Sequence, residues 1–204
     1  MLLSSIVAVF ALCTSALAQR ATAPFTEPKS GITFQAYKHT SGYQFGIALP
    51  PKPGNDFIGH LSAPASVGWA GGDLGPKMVG KLLIVAWPNG GSVVGSLRRA
   101  TRKSSPPPYT GAAKLKPIAA GTYANASHWS YTFLCEGCLA DPAVGFAKDA
   151  PAGDLGWAAG ARAPADKASA NAGLSYHNVG AGSIQANFAQ AKATGYDAWA
   201  AKAA

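Results

Sequence analysis

Past the initiator the chain has a single methionine, Met78. It closes the stretch Gly68-Trp69-Ala70-Gly71-Gly72-Asp73-Leu74-Gly75-Pro76-Lys77-Met78, just ahead of the apolar run Lys81-Leu82-Leu83-Ile84-Val85-Ala86-Trp87. Methionine is usually core filler. A lone thioether on a glycine-rich turn before a buried strand can also ligate a soft metal. The imidazoles that could complete such a site are His39, His60, His128 and His177, and composition does not choose among them. By default each is a surface or hydrogen-bonded histidine, with His60 half-buried on a strand. Cys135-Glu136-Gly137-Cys138 admits several readings. A zinc site needs a second ligand pair, and none is spaced for it. A redox-active pair belongs in a thioredoxin-like βαβ setting, which is missing around it. A structural disulfide is the best reading, with a redox-active pair as the alternative.

Compartment bears on that pair. Residues 1–18 are uncharged and mostly apolar and end in Ala16-Leu17-Ala18, the pattern of a secretory signal peptide. The run is too short to span a bilayer, and no second long apolar stretch follows. Removal would take Cys13 away, start the mature domain (19–204) at Gln19, and leave two cysteines in an oxidising compartment. The formal charge of +8 then belongs to the mature protein. Its densest basic run is Arg98, Arg99, Arg102 and Lys103, followed by Lys114 and Lys116. Clustered cations can meet polyanions. A secreted chain without a nucleic-acid motif points to an acidic wall polymer or an acidic protein, or simply to a solvated basic face. Asn125-Ala126-Ser127 is a glycosylation sequon.

The elements that must position these residues are short strands. Ile32, Phe34 and Ala36 alternate with polar neighbours, as do Tyr43, Phe45, Ile47 and Leu49, and later Trp129, Tyr131 and Phe133. Period two predicts one buried and one wet face. Phe57 to Leu61, Val67 to Ala70 and Leu155 to Ala159 are further strand candidates. Lys81 to Trp87 is apolar almost throughout and predicts a strand covered on both faces. Asn89-Gly90 predicts a hairpin into Val93-Val94. Proline-rich loops at 50–54 and 104–108, and an Ala/Gly/Pro-rich loop region over 139–173, separate them. An all-β antiparallel β-sandwich follows, with a short C-terminal helix expected from Asn187 that carries Phe188 and Trp199 on its apolar side.

From about Gly42 onward, ordered blocks of the chain resemble a known family. They are Phe57-Ile58-Gly59 through Ala63-Pro64, Gly68-Trp69-Ala70-Gly71, Met78, Leu82 to Gly90, Pro108-Tyr109-Thr110-Gly111, Asn125-Ala126-Ser127-His128-Trp129 and Phe133-Leu134-Cys135-Glu136-Gly137-Cys138. The family is the haem-binding cytochrome domain of cellobiose dehydrogenase, a DOMON-type β-sandwich. The resemblance implies a haem b with Met78 and His177 as axial ligands of the iron. His177 stands where the family places its second ligand, ahead of a Gly-rich segment. A Met/His pair fills both axial positions, so such a site moves electrons and does not activate oxygen, and the thioether raises the potential. Leu139 follows Cys138 where covalent c-type attachment needs His, so the haem is expected to be non-covalent. The resemblance also implies a Cys135–Cys138 disulfide, Trp87 at the haem edge, and Lys103 near a haem propionate where the family tends to place tyrosine. Around His177 the usual acidic and aromatic residues are replaced by Asn178, Val179, Ala181 and Ser183, so a pocket of different shape is expected.

The reading that results is a secreted electron carrier rather than an enzyme. No G-x-G-x-x-G follows a strand, so a flavin domain is not expected in the chain. A flavin dehydrogenase is the expected electron donor and a copper polysaccharide monooxygenase the expected acceptor, with no nucleic acid and no membrane. The competing reading is the same sandwich without haem, binding a carbohydrate or wall polymer; Met78 and His177 count against it. A copper monooxygenase would need an N-terminal histidine where Gln19 is expected.

Overall fold

Residues 20–204 are described by the computed structural model. The expected signal peptide and Gln19 lie outside the described residues. The described residues form twelve strands: β1 (Ala23–Thr26), β2 (Thr33–Lys38), β3 (Gln44–Ala48), β4 (Phe57–Pro64), β5 (Trp69–Asp73), β6 (Leu82–Asn89), β7 (Ser92–Arg99), β8 (Lys114–Pro117), β9 (Tyr123–Ala124), β10 (His128–Glu136), β11 (Gly153–Gly160) and β12 (Gly180–Ala186). They form two antiparallel sheets. The larger runs β1-β2-β3-β4-β10-β8, with β9 also on β10, and the smaller runs β12-β11-β5-β6-β7. The β-sandwich expected from the alternating pattern is present.

Between the sheets lies the main core. The large sheet contributes Phe45, Phe57, Leu61, Trp129, Tyr131 and Phe133, and the small sheet Leu82, Ile84, Leu155, Trp157 and Ile184. Each side chain of this size removes about 1.5–3 kcal/mol worth of apolar surface from water. The expectation of one wet face fails for the large sheet. Its outer face carries a second cluster, with Ile32, Phe34, Ala36, Ile58 and Leu134 packed under Tyr196. Tyr196 opens the short helix α1 (Tyr196–Ala200). β3 is therefore buried at all five residues. The helix starts nine residues later than the sequence suggests. Phe188 is fully buried in the main core instead of lying on the helix. The apolar residues there serve two different layers, so their spacing does not report one helical face.

Other expectations hold. β6 is buried from Leu82 to Trp87. It joins β7 through Gly90-Gly91, with Gly90 at φ +61°, a left-handed conformation that glycine adopts freely. Cys135, at the end of β10, is bonded to Cys138 with an S–S distance of 2.01 Å across a turn holding Gly137 at φ +69°.

Candidate cofactor cleft

The outer face of the small sheet is partly covered, with Ala181 on β12 and Asp154 on β11 left exposed. Cross-strand partners share a face, so the register fixes what lies there. One row reads Ala181, Ala158, Gly71, Val85, Ser96, and the next reads Ser183, Gly156, Asp73, Leu83, Arg98. The middle of this face is built from glycine and alanine, walled on one side by Leu83 and Val85. Loops close over it. The result is a mainly apolar cleft with a cavity volume of about 190 Å³.

Gly71 and Gly72, read from the sequence as part of a loop, belong to the middle of β5. Both are excluded from carrying side chains. A Cβ on Gly71 would stand 2.8 Å from Val85 Cγ1 and 2.9 Å from the Ile84 carbonyl oxygen; one on Gly72 would stand 2.7 Å from the Phe45 ring. These glycines keep the floor low and the sandwich tight, which is a strand role rather than a turn role.

Met78 reaches the cleft from the turn between β5 and β6. Leu74 N–H donates to the Leu82 carbonyl and Gly80 N–H to the Ala100 carbonyl, which pins both ends of that turn. Gly80 takes φ +92°. The Lys81 ammonium fastens the turn to the next layer through the carbonyls of Pro142 and Gly145 at 3.1 and 2.9 Å.

His177 reaches the same cleft from a segment with no regular structure. Side chains hold that segment. The Arg98 guanidinium donates to the carbonyls of Ala170 and Ala172 at 2.7 and 2.8 Å, to that of Pro106 at 3.0 Å and to Ser96 Oγ at 2.7 Å. Leu174 N–H donates to Ser105 Oγ, and Trp69 Nε1 donates to Ser175 Oγ, which in turn donates to the Arg162 carbonyl. Asn178 Oδ1 accepts from Ala161 N–H. Tyr176, beside His177 at 4.3 Å between ring centroids, is 75% exposed. Arg98 is thus not part of a solvated basic face, as its run of cations suggested. It is 1% exposed and ties the His177 segment to β7.

Asp73 is the remaining polar group in the cleft lining with chemical reach. It is 6% exposed, and its Oδ1 has no hydrogen-bond partner among the described residues. Burial pushes the carboxyl up to about 8, against the opposing pull of the Gly75 N–H and the Lys81 ammonium. The sequence reading missed it, although an acid at the end of a Gly-rich strand beside an apolar strand is a visible signal.

The other sequence candidates fall as follows. Trp87 is fully buried two residues beyond Val85 on the same face of β6, packed with Trp69, Val85 and Leu174, its indole N–H on the Lys167 carbonyl at 2.9 Å; it does not itself line the cleft. Lys103 is exposed in the loop that leads to Pro106, a residue of the cleft lining, but does not itself line the cleft. His60 lies in the large sheet, between the rings of Phe25 and Phe34 and in hydrogen-bond contact with Thr132 and Ser62, away from the cleft. His39 packs on Trp157, and His128 contacts Tyr123 and Ser127. Asn125 is exposed, its Oδ1 taking the backbone N–H groups of Ser127 and His128.

The cleft therefore offers a thioether, an imidazole and an apolar floor flat enough for a planar group. That donor set suits iron in a macrocycle better than a metal bound by protein alone, which needs more ligands. The structural match to the cytochrome domain of cellobiose dehydrogenase from Myriococcum thermophilum has a TM-score of 0.82 at 31% identity, covering 91% of this chain and 97% of that one. The cytochrome b domain of pyranose dehydrogenase from Coprinopsis cinerea matches with a TM-score of 0.80 at 25% identity, covering 89% and 95%. A pyrroloquinoline quinone-dependent pyranose dehydrogenase of Coprinopsis cinerea is 30% identical over 140 residues, which are 66% of this chain and only 19% of that protein. The family model described as the cytochrome domain of cellobiose dehydrogenase matches residues 25–198, and the chain belongs to that family.

Proposed function

We propose that this chain is a secreted haem b electron-transfer protein whose iron is held between Met78 and His177. The observation that carries the reading is the meeting of these two side chains, distant in sequence, at one apolar cleft in a cytochrome-family sandwich. The bound group would supply a one-electron iron couple, with a potential raised by the thioether. The chain's own residues do the rest. Gly71, Gly156, Ala158 and Ala181 leave room for a planar ring. Leu83 and Val85 keep water from its face. Arg98, Ser105 and Trp69 fix the segment that presents His177, and the pinned turn at 74–80 presents Met78. Lys103 is assigned to a propionate carboxylate at the mouth.

Electrons are proposed to arrive from a sugar dehydrogenase, flavin- or quinone-dependent, and to leave to a copper polysaccharide monooxygenase. Exposed Lys77, Arg102, Lys103, Arg162 and Lys167 flank the cleft-forming loops and favour acidic docking faces on such partners, with acidic wall polymer as a further contact. Residues 1–18 are assigned to export and Asn125 to glycosylation.

Expression of the full chain with haem supplementation tests the reading. The secreted protein should be red, with one acid-acetone-extractable haem per chain. A colourless product would overturn it and favour a haem-free carbohydrate-binding sandwich.

A further inference from the structure

Asp73 is a carboxyl where a cofactor cleft has no evident need of one. It stands on the floor, on β5, between β6 and β11. Gly156 across the ladder makes room for it: a Cβ there would fall 3.0 Å from Asp73 Cβ and 3.3 Å from Oδ2. The side chain is 6% exposed, and Oδ1 points to no donor among the described residues. Among the described residues no cation forms an ion pair with it. The Lys81 ammonium, whose charge pulls on it, is committed to two carbonyls. Arg98, two strands away in the same row, is committed to Ser96 and three carbonyls. Asp154 stands one row further along β11, exposed, and His177 faces the cleft from the overlying segment. A carboxylate left so poorly compensated responds strongly to any charge placed beside it, because the surroundings screen weakly.

On the haem reading, from which this inference starts, we propose that Asp73 takes up a proton when the cleft is reduced and releases it when the cleft is oxidised, so that the protein carries an electron and a proton together. The balance is simple. One electron enters from the donor and one proton from water through the open cleft; the Asp73 carboxylate becomes a carboxylic acid, and no net charge is added to the interior. Oxidation by the acceptor returns both. The direction follows from electrostatics: the more positive oxidised centre favours the carboxylate, and the reduced centre favours the neutral acid. Burial already holds the carboxyl near the working range, up to about 8.

The test is the midpoint potential of the haem-loaded full chain between pH 5 and 9, for the native protein, Asp73→Asn and the control Asp154→Asn. The native potential should fall as pH rises, approaching a tenfold change per pH unit, which is 59 mV for one electron. Asp73→Asn should be flat and lie close to the native value at low pH, where the acid is neutral. Asp154→Asn should keep the native slope. A reduced-minus-oxidised infrared spectrum should show a carboxylic-acid C=O band that Asp73→Asn lacks. Should Asp73→Asn not fold, Asp73→Glu should keep the slope at a displaced pH. A red protein with a pH-independent potential, or a full slope in Asp73→Asn, overturns this proposal and leaves the haem reading standing. A colourless protein overturns both.

Discussion

Arg98 has no acidic partner among the described residues. Four acceptors hold its guanidinium, and three of them are main-chain carbonyls of loops that close the cleft. Replacing it by Met keeps the stem and removes every donor, leaving buried carbonyls unpaired. Arg98→Met should cost about 3 kcal/mol in a urea unfolding measurement and should speed proteolysis within residues 161–178 more than elsewhere. His60 makes the opposite case, a histidine that is purely structural. Burial lowers it to about 4, opposed by Glu27 and helped by His128. Its folded value lies below its unfolded one of about 6.5. The stability it contributes is therefore present above pH 6.5 and is lost as pH falls through about 4. Between pH 7 and 4.5 that loss should be about 2 kcal/mol, and His60→Gln should show a correspondingly shallower acid limb. Asp73 runs the other way. Its raised carboxyl contributes stability below about pH 4 that is lost as pH rises through about 8.

At the scale of elements, the small sheet is the working part. β5, β11 and β12 carry glycine and alanine in the middle of their outer face, which on the proposed reading leaves room for a ring, while β6 presents Leu83 and Val85 there. Ala158 sits at the middle of that floor, paired with Gly71 and Ala181. Ala158→Leu should lower haem affinity more than tenfold in a haem titration of the apoprotein, with little change in Tm, because the added atoms enter the cleft and not the core. An unchanged affinity would mean that the floor does not receive the ring. The strands themselves were legible from alternation, and the hairpin from Asn89-Gly90. The glycines of β5 were not, since a sequence shows glycine without showing whether it serves a turn or a close approach. Arg98 was misread for a related reason. A run of cations looks like a surface, and only the register of β7 shows that positions 96 and 98 share the covered face.

For the molecule as a whole, the layered design explains why so much of the chain is buried. A helix covers one sheet, the sheets cover each other, and the loops that bring Met78 and His177 together cover the second. The sandwich and the disulfide were readable in advance. The two proposed ligands were readable through the family resemblance rather than from composition, because nothing in four scattered histidines marks His177. What the sequence hid was the supporting polar network of Arg98, Ser105, Trp69 and Ser175, whose members meet only after folding. With a formal charge of +8, electron exchange with an acidic partner should slow as salt rises from about 0.01 to 0.15 M. The central claim, that Met78 and His177 together close the iron, is tested most directly by the visible spectrum of the ferrous protein under carbon monoxide, native against His177→Ala. The native protein should remain six-coordinate, low spin and unchanged by the gas. His177→Ala should lose haem or bind carbon monoxide at once, while His39→Ala and His128→Ala behave as native. A His177→Ala protein that keeps the native low-spin spectrum and excludes carbon monoxide would contradict the account.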